Sequence, residues 1–140
     1  MLHSAEIPGV AEKLGIFNGR LWCVELLRKI DETPLIYSKS YLPEKIFPEL
    51  DSILQDNDSF YKLIKEKYSL NNIEKQSYTL ESKLPGRHEM RILQIPNSIP
   101  VFVLSSCTKS DNRGIIEYRM SVSRSDMIAF TNLTFNRMLS

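Results

Sequence analysis

Leu21-Trp22-Cys23-Val24-Glu25-Leu26-Leu27-Arg28-Lys29-Ile30-Asp31 is followed, across Glu32-Thr33-Pro34, by Leu35-Ile36-Tyr37-Ser38-Lys39-Ser40-Tyr41-Leu42. Both runs are rich in residues that suit a pleated surface, and the break between them is short and polar. They predict two strands joined by a turn at Glu32 to Pro34. So short a connection forces antiparallel pairing. The pattern recurs further on. Pro100 to Thr108 and Ile115 to Arg124 read as strands joined by a turn at Ser110 to Gly114. Ile73 to Glu81, more polar, reads as an edge strand. The tail from Met127 to Leu139 offers one more.

Helices fill the gaps. Pro8 to Leu14 carries proline in its first turn and is stopped by Gly15. A helix begins near Ser59, where Phe60, Leu63 and Ile64 repeat at helical spacing and Asp58 can cap. Arg87 to Leu93 is a short third helix. Pro43 and Pro48 bracket a loop or helical turn. The expected architecture is α+β, a mainly antiparallel sheet with helices packed on it.

The 140 residues suit one domain, and 42% hydrophobic with 25% charged residues can bury a real core. A net charge of +1 gives no dedicated nucleic-acid or membrane surface. No apolar run reaches the roughly 20 residues of a membrane span. Met1 to Gly9 lacks the pattern of a secretory signal. Cys23 and Cys107 read as two buried free thiols, which with the missing signal favours the cytoplasm. His88-Glu89 begins like a zinc-protease helix, but Ile92 stands where the second histidine belongs. No metal and no cofactor is expected. No Gly-rich phosphate loop, nucleophile elbow or motif-framed carboxylate pair occurs, so the chain does not read as an enzyme.

Three places could hold a ligand. Trp22, Val24, Leu26, Arg28 and Ile30 share one face of the first strand, which makes Arg28 the one charge on the more apolar face. A buried guanidinium there needs a carboxylate or an anionic ligand. An internal ion pair, or a stem snorkelling past the sheet edge, fits the spacing first. At the second place, Ser59 and Tyr61 bring hydroxyls to a helix start that favours anions. Simple capping by Asp58 fits as well. The third is Glu117-Tyr118, with Arg124 and Asp126 following. Glu117 could accept hydrogen bonds from hydroxyls or an amine; spacing alone makes it an exposed strand residue. Arg124 and Asp126 read first as a structural turn pair.

Taken in order, Leu14-Gly15-Ile16, Leu27-Arg28-Lys29-Ile30-Asp31 before Pro34, Ser40-Tyr41-Leu42-Pro43, Ser59-Phe60-Tyr61, Ile116-Glu117-Tyr118 and Arg124-Ser125-Asp126 resemble a known pattern. It is that of the UTRA domain, the effector-binding part of GntR-type transcription regulators of the histidine-utilisation repressor branch. The resemblance runs from about Val10 to Phe130 and implies a chorismate-lyase-like fold. It implies that Arg28, Ser59 and Tyr61 hold the anionic end of an effector, that Glu117 holds its polar body, and that Arg124 is the weakest contact. Two positions depart from the family pattern. Leu26 stands where a first arginine is usual, and Ser123 replaces an aromatic.

Such regulators usually carry an N-terminal winged helix-turn-helix. Nothing in residues 1–140 resembles one, so the whole chain reads as the sensing domain, with Met1 to Ile7 as linker. The resemblance further implies a homodimer, a small-molecule effector as partner, and DNA binding only through the missing domain. Two rival readings stay open. One is a dimerisation module with a vestigial pocket, the other a lyase-like enzyme.

Overall fold

The computed structural model describes residues 1–54 and 60–128. The chain runs β1 (Leu2–His3), a 3-10 turn (Ser4–Glu6), α1 (Pro8–Leu14), β2 (Arg20–Ile30), β3 (Thr33–Pro43), α2 (Leu50–Ile53) and α3 (Phe60–Tyr68). Then follow β4 (Glu74–Lys83), α4 (Arg87–Leu93), β5 (Val101–Ser110) and β6 (Gly114–Arg124). The strands form one six-stranded sheet in the order β1-β2-β3-β6-β5-β4. This is the antiparallel α+β architecture expected from the sequence. β4 lies at a sheet edge, as its polar composition predicts.

The first hairpin is tighter than the sequence suggests. Thr33 and Pro34 belong to β3, so the turn is Asp31-Glu32 alone. Both residues are left-handed, with φ of 49° and 68°. Two such residues in a row give a turn whose twist matches that of the flanking strands. Pro34 is tolerated because it sits at the start of its strand. The second hairpin turns through Asp111 to Arg113, and Gly114 takes φ of 73°.

α1 matches its predicted bounds. Pro8 opens it, and Gly15 closes it at φ of 69°, where a Cβ would be strained. α4 also matches. The sequence does not announce β1, the Ser4–Glu6 turn or α2. Leu2 and His3 are not simple linker but pair with Leu21 and Arg20. The short α2 follows the Pro43–Pro48 segment. The cap of α3 at Asp58, and any strand in the tail beyond residue 128, lie outside the described residues.

The chain divides into two compact units. The first holds the described residues of Met1–Val24, Ser40–Ser77 and Cys107–Tyr118. Its core is Leu42, Phe47, Leu50, Ile64, Leu70 and Ile116, with Trp22 and Val24 packed on it. The Trp22 indole donates to the Phe47 carbonyl at 2.8 Å, so its one polar atom is satisfied. The second unit holds the described residues of Glu25–Lys39, Tyr78–Ser106 and those from Arg119 on. Its core is Tyr37, Leu93, Ile95, Val101, Val103 and Val122. Neither Cys23 nor Cys107 is in a disulfide; Cys107 is buried, and Cys23 is half-buried rather than buried.

Candidate ligand-binding site

The site grows from one buried carboxylate in the first unit. Glu117 on β6 has 0% exposure, and not the solvent-facing position that spacing alone would give it. Its Oε1 accepts from Lys75 Nζ on β4 at 3.3 Å and from Thr108 Oγ1 on β5 at 3.1 Å. A carboxylate removed from water is costly unless paired and hydrogen-bonded, and here it is both. Lys75 keeps 15% of its side chain exposed. The cluster is therefore a charge-balanced acceptor set inside the fold. Tyr118, the next residue of β6, stacks its ring on Tyr41 with centroids 6.5 Å apart.

A polar clamp fixes the approach of β4. The Asn71 amide donates to Asn112 Oδ1 at 3.0 Å, and Asn112 Nδ2 donates to the Ser69 carbonyl at 3.0 Å. The Asp111 amide donates to the Asn71 carbonyl at 2.9 Å, and Asn72 Nδ2 to Asp111 Oδ2 at 2.7 Å. Ser110 Oγ contacts Asn112 Oδ1 as well. The β5–β6 turn thus holds the segment leading into β4, which brings Lys75 to Glu117. Ser69 and Asn72 take positive φ, 52° and 47°, to make that bend.

The other expected residues fall as follows. Arg28 lies in the outer half of β2, where residues 25–30 are exposed on both faces. The argument for a buried guanidinium does not hold there, because that part of the strand is exposed and not packed into a core. Ser59 lies outside the described residues. Tyr61 is in the first turn of α3, and its side chain lies outside them too. Arg124 forms the expected turn pair in the second unit. Its Nε and Nη2 donate to the two Asp126 carboxylate oxygens at 2.7 and 2.8 Å. This bidentate bond is the main force holding the Asp126 carboxyl below the usual range, and it raises the Arg124 guanidinium. Glu117 and Arg124 belong to different units, so the described residues assemble Glu117 with Lys75 and Thr108, and Arg124 with Asp126.

Four polar positions carry no mark in the sequence: Lys75, Thr108, Arg119 and Ser121. Lys75 and Thr108 are ordinary strand residues, and their meeting with Glu117 needs the sheet order. In the second unit, Arg119 is buried at 2% exposure, with Ser121 and Ser123 buried on the same side of β6. Alternation from Glu117 could have grouped them. Among the described residues, no cluster of His, Cys, Asp and Glu could hold a metal ion.

A family model described as the UTRA domain matches residues 5–129. The chain belongs to the UTRA domain family. The match is to UTRA domains as a whole, and it does not single out the histidine-utilisation branch. The solved structures agree in fold. The C-terminal domain of Yurk from Bacillus subtilis is 19% identical, covers 89% of this chain and 86% of its own, and superposes with a TM-score of 0.78. The effector domain of PhnF from Mycobacterium smegmatis is 23% identical, with 88% and 75% covered and a TM-score of 0.77. A GntR-family transcriptional regulator from Enterococcus faecalis is 16% identical, with 89% and 88% covered and a TM-score of 0.76. Against a longer PhnF structure from Mycobacterium smegmatis, the share of that chain covered falls to 54%. Comparison with curated proteins gave no match. In this UTRA domain Glu117 is a buried carboxylate whose partners come from β4 and β5.

Proposed function

We propose that this UTRA domain is the sensing part of a bacterial GntR-type transcription regulator and is not an enzyme. The observation that carries the reading is the UTRA match over residues 5–129. The likeness to the effector domain of PhnF supports it. The effector is a small, acidic molecule. Glu117, steadied by Lys75 and Thr108, accepts hydrogen bonds from its polar body. The family resemblance adds Arg28, Ser59 and Tyr61 for its anionic end, with Arg124 the weakest contact. Effector binding shifts the population of domain arrangements and so changes operator affinity.

DNA is contacted by a winged helix-turn-helix outside this chain, in keeping with the 54% coverage of the longer PhnF structure. The protein acts as a cytoplasmic homodimer. Exposed Leu26, Leu27, Ile30, Tyr78 and Leu80 in the second unit supply apolar surface for that association. No helix among the described residues is long and apolar enough to cross a membrane.

The test is a thermal-shift screen against sugar phosphates, phosphonates and carboxylic acids, repeated with Glu117→Gln and Arg28→Ala. A ligand at about 100 times its Kd adds about 2.7 kcal/mol. A shift lost in both variants supports the reading. A shift kept in both, turnover of a screened acid, or an operator shift by this chain alone would overturn it.

A further inference from the structure

The first unit holds a second feature that the Glu117 cluster does not use. It is a cleft of about 630 Å³ between the end of α1, the start of β2, the segment after β3 and the β5–β6 turn. Its wall is apolar, with Ile16, Ile46 and Ile115 each half-buried. Three cations line it as well, Arg20, Lys45 and Arg113, against the single carboxylate of Glu44. Arg20 and Glu44 stand 3.9 Å apart, at the outer limit of an ion pair, and the Arg20 side chain is 60% exposed. Neither Lys45 nor Arg113 has a carboxylate partner among the described residues.

The frame under these side chains is fixed. The Glu44 amide donates to the Arg20 carbonyl at 2.9 Å, which ties the segment after β3 to the start of β2. The Ile46 amide donates to the Pro43 carbonyl at 3.1 Å. A rigid apolar wall beside an excess of positive charge fits one kind of occupant. The charge selects an anion, and the isoleucines select a molecule with an apolar body attached to it.

We infer that this cleft is a second ligand site, separate from the Glu117 cluster, for small amphiphilic anions such as monoalkyl or aryl phosphates. The head group sits among Arg20, Lys45 and Arg113, and the hydrocarbon lies on Ile16, Ile46 and Ile115. The inference does not depend on the sensing role proposed above. The same chemistry occurs free in solution and in phosphate-bearing lipid headgroups. The site takes the free molecule, because the cleft is small and the net charge of +1 gives no broad basic surface.

The experiment is an NMR titration of the full chain with hexyl phosphate, with inorganic phosphate and hexanol as its two halves. Hexyl phosphate should move the Ile16, Ile46 and Ile115 amides saturably and bind about tenfold more tightly than either half. Lys45→Gln with Arg113→Gln should weaken it about tenfold while the rest of the spectrum stays folded. Lys65→Gln with Lys67→Gln removes the same charge from α3 and should leave binding intact. Equal binding by both double variants would overturn the inference. So would the absence of a saturable shift in folded protein. Binding to phosphatidylcholine vesicles containing phosphatidate, without binding of hexyl phosphate, would overturn it in favour of a membrane surface.

Discussion

Lys75 Nζ stands 3.3 Å from Glu117 Oε1, although the two residues are 42 positions apart in the chain. Removing the lysine leaves a carboxylate with no exposure short of one partner. Lys75→Met should cost about 3 kcal/mol, the lower end for breaking a buried pair, because the lysine is not fully buried. Adding Glu117→Gln should restore part of the loss. Urea unfolding of the two variants checks both. A loss well under about 1 kcal/mol for Lys75→Met would show that water already solvates the pair.

Asn112 bonds to Asn71 and Ser69 at once. Asn112→Ala removes both bonds, and the Ser110 hydroxyl contact, in one step. The expected loss is about 1–2 kcal/mol, since these groups reach water once released. Hydrogen exchange at the Asn71 amide should accelerate beyond the global effect. Unchanged exchange there would mean the clamp does not hold β4.

Asp126 titrates below the ordinary carboxylate value because Arg124 hydrogen-bonds its charged form. A depressed folded-state value stabilises the protein above the unfolded value of about 3.9, and that stability is lost as pH falls through the folded value. Carbon-detected NMR should therefore place the Asp126 midpoint below 3.9, by that same reference. In Arg124→Gln it should return to the ordinary range. A midpoint that ignores the substitution would assign the shift to another group.

The β2–β3 turn places Asp31 and Glu32 in a conformation that side chains resist. Asn-Gly suits it better. Asp31→Asn with Glu32→Gly should stabilise the domain by about 0.5–1 kcal/mol, the strain of the left-handed backbone exceeding the flexibility that glycine adds. Denaturant midpoints measure this directly. A drop in stability would mean that the Asp31 and Glu32 side chains make contacts that outweigh the strain.

Much of the fold was legible because its signals are local. Pro8 and Gly15 bound α1 through backbone geometry that two residue types dictate. The β2, β3, β5 and β6 runs declare themselves by residue type and by polar breaks between them. The sequence places the first turn too late because proline favours turns, whereas at a strand start it costs no ladder bond. β1 was not foreseen because two residues carry no period. Its pairing depends on Leu21 and Arg20 being in reach.

The site was legible only in part. Glu117 is marked by the family pattern, and Arg124 with Asp126 by adjacency. Lys75 and Thr108 carry no local mark, since any lysine or threonine on a strand looks the same. The exposure of Arg28 also escapes the sequence, because alternation gives a side chain its face but not what covers that face.

The alternation of strands, the two hairpins and the ends of α1 and α4 are written in local sequence. These follow from forces that act within a few residues. The place of β6 between β3 and β5, the burial of Glu117 and the reach of Lys75 to it arise only in the folded chain. Burial and long-range pairing are properties of the assembled sheet. Their free energy depends on which surfaces exclude water together, and no short stretch of chain records that.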